Sequence, residues 1–385
     1  LHPANTLSLH DALPIWINLK IDKPVAKHGG DIYTEGLFKN RKLLDFSSNV
    51  NPLGVPKSFI KNMDKAINAI ERYPDIHYRE SKRSIKEYLK GLVEEEEIIL
   101  GNGAAEIIQL ALSNFDKILI VVPSFIEYEE CAEKSSSKIG YSYLDSNMEL
   151  DYKDIKRSVL NYDALILGNP NNPNGGLIDK RSFYEILDIC EKNSITVIVD
   201  EAFIEFAGNE SLSFVEDIKS YNCLFIIRAL TKFFALPGLR VGYGVSKNKK
   251  LIDTLKNKQI PWNINCFGEL AILEVLKDED YIKDSLNWIE SSREILVRSL
   301  KDIDFIEVIY KSSGNFLLCR LKGITGKRLY EYCLKKDILI RVCDNYKGLD
   351  EYNVRFAVKD SYKNSILVKE LKAIEKELKV IEKEV

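Results

Sequence analysis

Between residues 57 and 260, short and almost unbroken runs of Ile, Val and Leu alternate with stretches whose apolar residues recur every three to four positions. The runs predict strands at 97–100, 117–122, 163–167, 196–199, 223–227 and 241–245. Continuous rather than alternating hydrophobicity suits strands of a mainly parallel sheet covered on both faces. The periodic stretches at 57–70, 104–113, 179–192 and 249–258 predict the covering helices. Strand–helix alternation of this kind implies an α/β, doubly wound domain over residues 57–300. From 265 to 300 one long helical pattern carries Leu270, Leu273, Leu276, Ile289, Leu296 and Leu300 on its apolar face, and a helix of that length often bridges two domains. Strands near 305–309, 315–321, 338–340 and 353–358 then interleave with helices near 325–335 and 361–383. They predict a small α+β domain over 301–385, joined by an N-terminal segment, 17–56.

Composition narrows the classes. The 385 residues carry 55 Lys+Arg against 58 Asp+Glu, a net charge of −3, with 45% hydrophobic residues. Those are the proportions of a globular protein with a real core. Near-zero charge and the lack of a basic run argue against nucleic acid or an acidic membrane as partner. Runs such as 118–122 fall far short of the roughly 20 residues that span a bilayer. The seven cysteines are scattered and form no C-x-x-C pair, which points to a reducing, cytoplasmic setting. No two of the four histidines sit at metal-ligand spacing, so no metal is expected. Residues 1–16 hold no Lys or Arg, lack the basic start of a signal peptide and resemble translated sequencing-adapter sequence. They are expected to be a non-native leader.

In an open parallel sheet, ligands bind beyond the carboxyl ends of the strands. Several informative segments lie at such ends. The run 98–100 leads into Gly101-Asn102-Gly103-Ala104-Ala105-Glu106 and a helix, which reads either as a plain turn or as a phosphate site built from backbone N–H groups. The run 165–167 leads into Gly168-Asn169-Pro170-Asn171-Asn172-Pro173-Asn174-Gly175, a turn that can also present the Asn172 amide. Asp200 follows 196–199, and a carboxylate there costs several kcal/mol unless it has a partner. Lys232 and Arg240 sit eight residues apart in a largely apolar stretch, an unusual place for a surface lysine.

Taken in order, these pieces resemble the fold-type-I, pyridoxal 5′-phosphate (PLP)-dependent members of the class I/II aminotransferase superfamily: a Gly-rich helix start, an aromatic, N-P-x-G, D-E-A-F, then T-K with Arg eight residues on. The resemblance implies a large domain with a mostly parallel central sheet plus a small α+β domain. It also implies a role for each matching residue. Lys232 would hold the cofactor's aldehyde, its amine made reactive by an apolar, cationic pocket. Asp200 would keep the pyridine nitrogen protonated, Asn172 would donate to the phenolate oxygen, and Phe125 would stack on the ring. The phosphate would rest among Gly103, Ala104, Ala105, Thr231 and Arg240, with Tyr73 reaching it from a second subunit, so a homodimer with its site at the interface is implied. Two departures stand out: Ala229 takes a place where many relatives carry a hydroxyl, and Phe203 one where many carry tyrosine.

Within the superfamily, several segments resemble the histidinol-phosphate aminotransferase group and, inside it, the threonine-phosphate decarboxylases of cobalamin synthesis. These are His28-Gly29-Gly30-Asp31, DFSSNVNPLG at 45–54, DEAFIEF at 200–206, LTKFFALPGLR at 230–240, PWNIN at 261–265 and ILIRVCDNYKGL at 338–349. The resemblance assigns a small phosphorylated amino acid to His28, Gly29, Asn49, Asn172, Arg341 and Arg355. Two arginines suit the two anionic groups of such a substrate, because guanidinium stays charged and grips an oxyanion with paired hydrogen bonds. The expected reaction is decarboxylation of O-phospho-L-threonine to (R)-1-aminopropan-2-yl phosphate and CO2. The alternative is histidinol-phosphate or another amino-acid transamination. The same residues serve either, since the outcome depends on which Cα bond stands perpendicular to the cofactor ring. A PLP-binding transcription factor would need a further DNA-binding domain for which the chain has no room.

Overall fold

The Ile/Val/Leu runs become the buried strands of a seven-stranded sheet, and their side chains divide between two layers. The computed structural model describes residues 28–384; the leader expected over 1–16 and residues 17–27 of the next segment lie outside the described residues. A short strand β1 (Leu44–Asp45) precedes the sheet. The sheet consists of β2 (Ile98–Gly101), β3 (Lys117–Val122), β4 (Lys138–Tyr143), β5 (Ala164–Gly168), β6 (Thr196–Asp200), β7 (Leu224–Ala229) and β8 (Gly242–Val245), in the order β2-β8-β7-β6-β5-β3-β4. Only β8 runs against its neighbours. Successive residues of a strand face opposite sides. Ile99, Ile118, Ile120, Ile166 and Ile198 therefore pack beneath the helices Gly103–Leu112, Glu127–Lys134 and Lys249–Lys258. Leu119, Val121, Leu165, Val197 and Val199 meet the opposite layer, which includes Lys180–Lys192.

Three expectations need correction. The single pattern over 265–300 is two helices, Cys266–Val275 and Glu279–Leu300. Periodicity continues across the gap, but the Asp278 side chain accepts from the Tyr281 backbone N–H at 3.1 Å and starts a new helix there. The stretch 57–70 likewise splits into Lys57–Lys61 and Met63–Ile67 at Asn62, whose backbone (φ −108°, ψ 6°) leaves the helical region. The expected strand 338–340 shortens to Ile338–Leu339, and a separate strand, Arg341–Val342, joins another sheet. Strand β4 was not foreseen, because it forms the sheet edge and mixes polar residues into KIGYSY.

The C-terminal part carries β9 (Ile306–Ile309), β10 (Phe316–Leu321), β11 (Ile338–Leu339), β12 (Arg341–Val342) and β13 (Asn353–Ala357). Four of these form an antiparallel sheet ordered β12-β13-β10-β9, flanked by helices Gly326–Lys335 and Ser361–Glu384. Strand β11 instead pairs in parallel with β1, and Arg41 donates to Asp337 at 2.7 Å. Among the described residues no helix is long and apolar enough to cross a membrane.

Candidate active site

Asp200 closes β6 at the carboxyl end of the sheet and is buried. Its carboxylate accepts from the Tyr128 hydroxyl at 2.7 Å and the Ala202 N–H at 3.0 Å. Burial raises its pKa, with those two hydrogen bonds opposing. The next residue faces the other layer: Glu201 pairs with Arg228 at 3.0 Å and accepts from the Ser213 hydroxyl at 2.7 Å and the Phe214 N–H at 2.7 Å. Adjacent acids thus have opposite fates, one satisfied inside the core and one left at the site.

Lys232 follows β7 by three residues. Burial pushes its amine down to about 8, and the nearby cations Arg355, Arg240 and Lys359 push the same way while Asp45 opposes them. An amine so depressed keeps a sizeable neutral, nucleophilic minority near physiological pH, which an ordinary lysine does not. Thr231 beside it is buried, and its hydroxyl makes no hydrogen bond among the described residues. Arg240 adopts φ 55° and reaches across to the start of helix Gly103–Leu112, its Nη2 3.5 Å from the Asn102 carbonyl. Gly103 there has φ +75°, and a Cβ would meet Arg240 Nη2 at 2.7 Å. The Asn102 side chain does not cap this helix; it donates instead to the Asn263 carbonyl at 2.6 Å. The opening N–H groups of Gly103, Ala104 and Ala105 and the Arg240 guanidinium therefore lie together at a helix start able to hold an anion.

On the opposite side, the Asn172 Oδ1 accepts from Arg355 Nη1 at 2.5 Å and lies 3.4 Å from the Tyr346 hydroxyl. Arg355 is buried, also donates from Nη2 to the Ser47 carbonyl at 2.8 Å, and lies over the Phe316 ring. Its Nε is buried with no acceptor. Arg341, directly opposite Arg355 in the β12–β13 register, donates to Asn345 at 2.7 Å and lies over Tyr346. The N-terminal segment closes this side. Gly30 N–H donates to Ser47 Oγ at 2.7 Å, and Gly29 sits so close that a Cβ would fall 2.1 Å from the Ser47 carbonyl oxygen. Asn49 is buried with an unpartnered Oδ1. The Phe125 ring packs edge-on against Tyr128, with centroids 5.8 Å apart, and lies 6.5 Å from His28.

Tyr73 stands apart: it is 78% exposed and packs on Trp262 at 4.8 Å, outside the cluster formed by the other residues of its own chain. His28, Glu127 and Glu130 come together as a group able to approach a cation, which the histidine spacing gave no reason to expect. Tyr128, Tyr346 and Lys359 belong to the site and were not anticipated. For Tyr128 a signal existed, since it lies three residues after Phe125 and so on the same side of the coming helix turn.

The arrangement can hold one dianion at a helix start, hold a second anion between Arg341 and Arg355, and place a reactive amine and a buried carboxyl between them. The family described as aminotransferase class I and II matches residues 41–371. A provisionally named threonine-phosphate decarboxylase of Caldanaerobacter subterraneus subsp. tengcongensis is 37% identical over 356 residues, 90% of this chain and 94% of that protein. A histidinol-phosphate aminotransferase of Methanosphaera stadtmanae is 31% identical, over 86% of this chain and 90% of its own length. Among solved structures, a histidinol-phosphate aminotransferase from Clostridium acetobutylicum superposes with a TM-score of 0.85 at 51% identity, covering 87% of this chain and 100% of that one.

Proposed function

This chain belongs to the aminotransferase class I and II family of fold-type-I enzymes, and from that premise we propose that it is a PLP-dependent decarboxylase of O-phospho-L-threonine, forming (R)-1-aminopropan-2-yl phosphate and CO2 for cobalamin synthesis. One observation carries the reading. The segments that resemble the decarboxylases, His28-Gly29-Gly30 and Arg341 to Tyr346, meet the same clamp: the first packs on Ser47, whose carbonyl Arg355 holds, and the second reaches Asn172 beside Arg355.

The residues present fit the cofactor. Gly103 leaves the space under Arg240 that a Cβ would fill, which suits a phosphate, and the buried Asp200 suits a protonated ring nitrogen. Bound PLP would supply an electron sink for the bond broken at the substrate Cα. Gly103, Ala104, Ala105, Thr231 and Arg240 would hold its phosphate, Lys232 its aldehyde, Asn172 its phenolate oxygen and Phe125 its ring face. The chain's own part is to bind and orient. Arg341 and Arg355, opposite each other in the β12–β13 register, would grip the substrate's two anions at fixed separation. Fixing both anions fixes rotation about Cα and so selects the bond that aligns with the ring. Lys232 Nζ is then the group placed to give a proton to Cα after CO2 leaves.

The reading includes a homodimer, supported by exposed Tyr73 and Trp262, which pack on each other, and by their exposed apolar chain neighbours Ile67, Ile70 and Ile260, which a second copy would bury. It also includes a reducing, cytoplasmic setting, supported by seven unbridged cysteines.

The 51% identity to a structure described as a histidinol-phosphate aminotransferase favours transamination as the second reading. A panel of phosphothreonine, phosphoserine and histidinol phosphate, with and without 2-oxoglutarate, decides between them. CO2 and an amine from phosphothreonine without any 2-oxo acid are expected; strict dependence on 2-oxoglutarate with glutamate formed would overturn the decarboxylase reading. A further prediction concerns the cradle. Gly103→Ala forces a Cβ against Arg240 at a left-handed φ, so the half-saturating PLP concentration should rise by about tenfold or more, read by titrating PLP-free protein. An unchanged value would place the phosphate elsewhere.

A further inference from the structure

Five consecutive carbonyls, from Phe46 to Val50, are each held by the C-terminal unit. Phe46 O accepts from Ala357 N–H at 2.8 Å and Ser47 O from Arg355 Nη2 at 2.8 Å. Ser48 O accepts from Lys359 Nζ at 2.9 Å, Asn49 O from Asn315 Nδ2 at 3.0 Å, and Val50 O from Lys359 Nζ again at 3.5 Å. The next residue is tied to the other unit: Asn51 N–H donates to the Lys232 carbonyl at 3.1 Å, and its side chain donates to the Phe233 carbonyl and Ser285 Oγ, each at 2.8 Å.

Lys359 is the exception among these grips. It is only 8% exposed, and among the described residues its ammonium makes no ion pair and meets only backbone carbonyls. Burying a cation on such terms is unfavourable, so an apolar side chain would be expected here unless the charge is used. Its backbone is fixed independently, since the carbonyl accepts from Trp288 Nε1 at 3.1 Å and Asn364 Nδ2 at 2.7 Å, and the N–H donates to Asn364 Oδ1 at 2.9 Å. The side chain therefore leaves from a rigid base.

We propose that Lys359 is a positioning residue of the active site: its ammonium clamps the strap 46–51 on both sides of Asn49, and through Asn51 fixes the backbone of Lys232. The charge has a second effect. Lys359 is one of three cations, with Arg355 and Arg240, that favour the neutral form of the Lys232 amine, while Asp45 acts against them and Asp200 lies across the site. Lys359 itself is faced by Asp45, Asp360, Lys363 and Arg355. The Asp45 carboxylate is already engaged by the hydroxyls of Ser47 and Ser48, so it braces the same strap and does not neutralise Lys359 by contact. The inference rests on the reading of Lys232 as the reactive amine.

The test uses PLP-free protein, in which pH-dependent acylation of Lys232 by acetic anhydride, read by mass spectrometry, gives the titration of that amine without any turnover. In Lys359→Met the midpoint should rise by about 0.3 pH unit, roughly a twofold loss of neutral amine at a given pH. In the loaded enzyme the same change should raise KM for the anionic substrate more than it lowers kcat. Lys359→Arg, which restores both charge and donors, should return both readouts towards wild type. Asn315→Leu releases the Asn49 carbonyl but leaves every cation in place, so it should raise KM and leave the midpoint alone. A folded Lys359→Met with unchanged midpoint and KM would overturn the proposal. Should that variant not fold, it is overturned by a Lys359→Arg protein that shifts the midpoint as far as loss of charge would, or by Asn315→Leu with unaltered KM. If wild type decarboxylates nothing while Lys359→Met still moves the midpoint, the functional reading fails and this inference stands.

Discussion

Lys232→Ala is expected to remove turnover almost completely, by roughly four orders of magnitude or more, as when the nucleophile of a concerted catalytic group is deleted. The visible absorbance that PLP gains on attachment to the protein should vanish with it. PLP should still be retained weakly, because the anion cradle of Gly103, Ala104, Ala105, Thr231 and Arg240 does not include the amine. Purified variant titrated with PLP, followed by absorbance and by equilibrium dialysis, separates the two effects. Near-normal activity would remove Lys232 from the chemistry altogether. The pH dependence follows from the same side chain. An amine depressed to about 8 loses its proton in a range where the unfolded lysine keeps it. The unfolded chain then binds more protons than the folded one, so the PLP-free protein should gain stability as pH rises from about 8 towards the ordinary lysine value of 10.5. Lys232→Ala should flatten that rise.

For Asp200→Asn, activity and stability should move in different directions. Turnover should fall by about 10²- to 10³-fold, the scale of removing one preorganised electrostatic contact from a reacting centre. The amide oxygen can keep the Ala202 N–H while its Nδ2 donates to the Tyr128 hydroxyl, so both contacts survive with one of them reversed in direction. Stability should hold or rise at neutral pH. Burial raises the pKa of Asp200, so between 3.8 and the raised value the folded state binds more protons than the unfolded state, and stability falls as pH climbs through that window. An asparagine does not carry that penalty. Thermal unfolding at pH 5 and pH 8, with and without the substitution, checks the sign. A large loss of stability at pH 8 would mean that Asp200 serves the fold more than the site.

Much of this arrangement was legible in the chain, for a physical reason. A parallel sheet buries strands on both faces, so its strands stand out as Ile/Val/Leu runs, and the residues immediately after each run are those the sheet presents to a ligand. Asp200, Lys232 and the glycine-rich start at 101–103 could be located that way before any contact was known. Contacts across the chain could not. Tyr128 meets Asp200 over 72 positions, and Lys359 meets the strap over more than 300. No periodicity encodes such a pairing, and a lone lysine near the end of a strand reads as solvated until its burial is seen. The break after Val275 was missed because the apolar spacing persists through Leu276 while capping by Asp278 sets the boundary. Edge strand β4 was missed because solvent on one side dilutes its hydrophobic pattern. The resemblance to known enzymes added the roles that residue chemistry left open, above all those of Arg341 and Arg355.

The back-to-back placement of Asp200 and Glu201 sets a constraint of its own. Because the two acids are consecutive on one strand, inserting or deleting a single residue in Thr196–Asp200 would interchange their surroundings, driving a lone carboxylate into the Arg228–Ser213 pocket from the wrong register and leaving the longer side chain at the reaction centre. The length of that strand is therefore constrained more tightly than its choice among branched aliphatics, and gaps in any set of related sequences should avoid it while accumulating in the turns on either side.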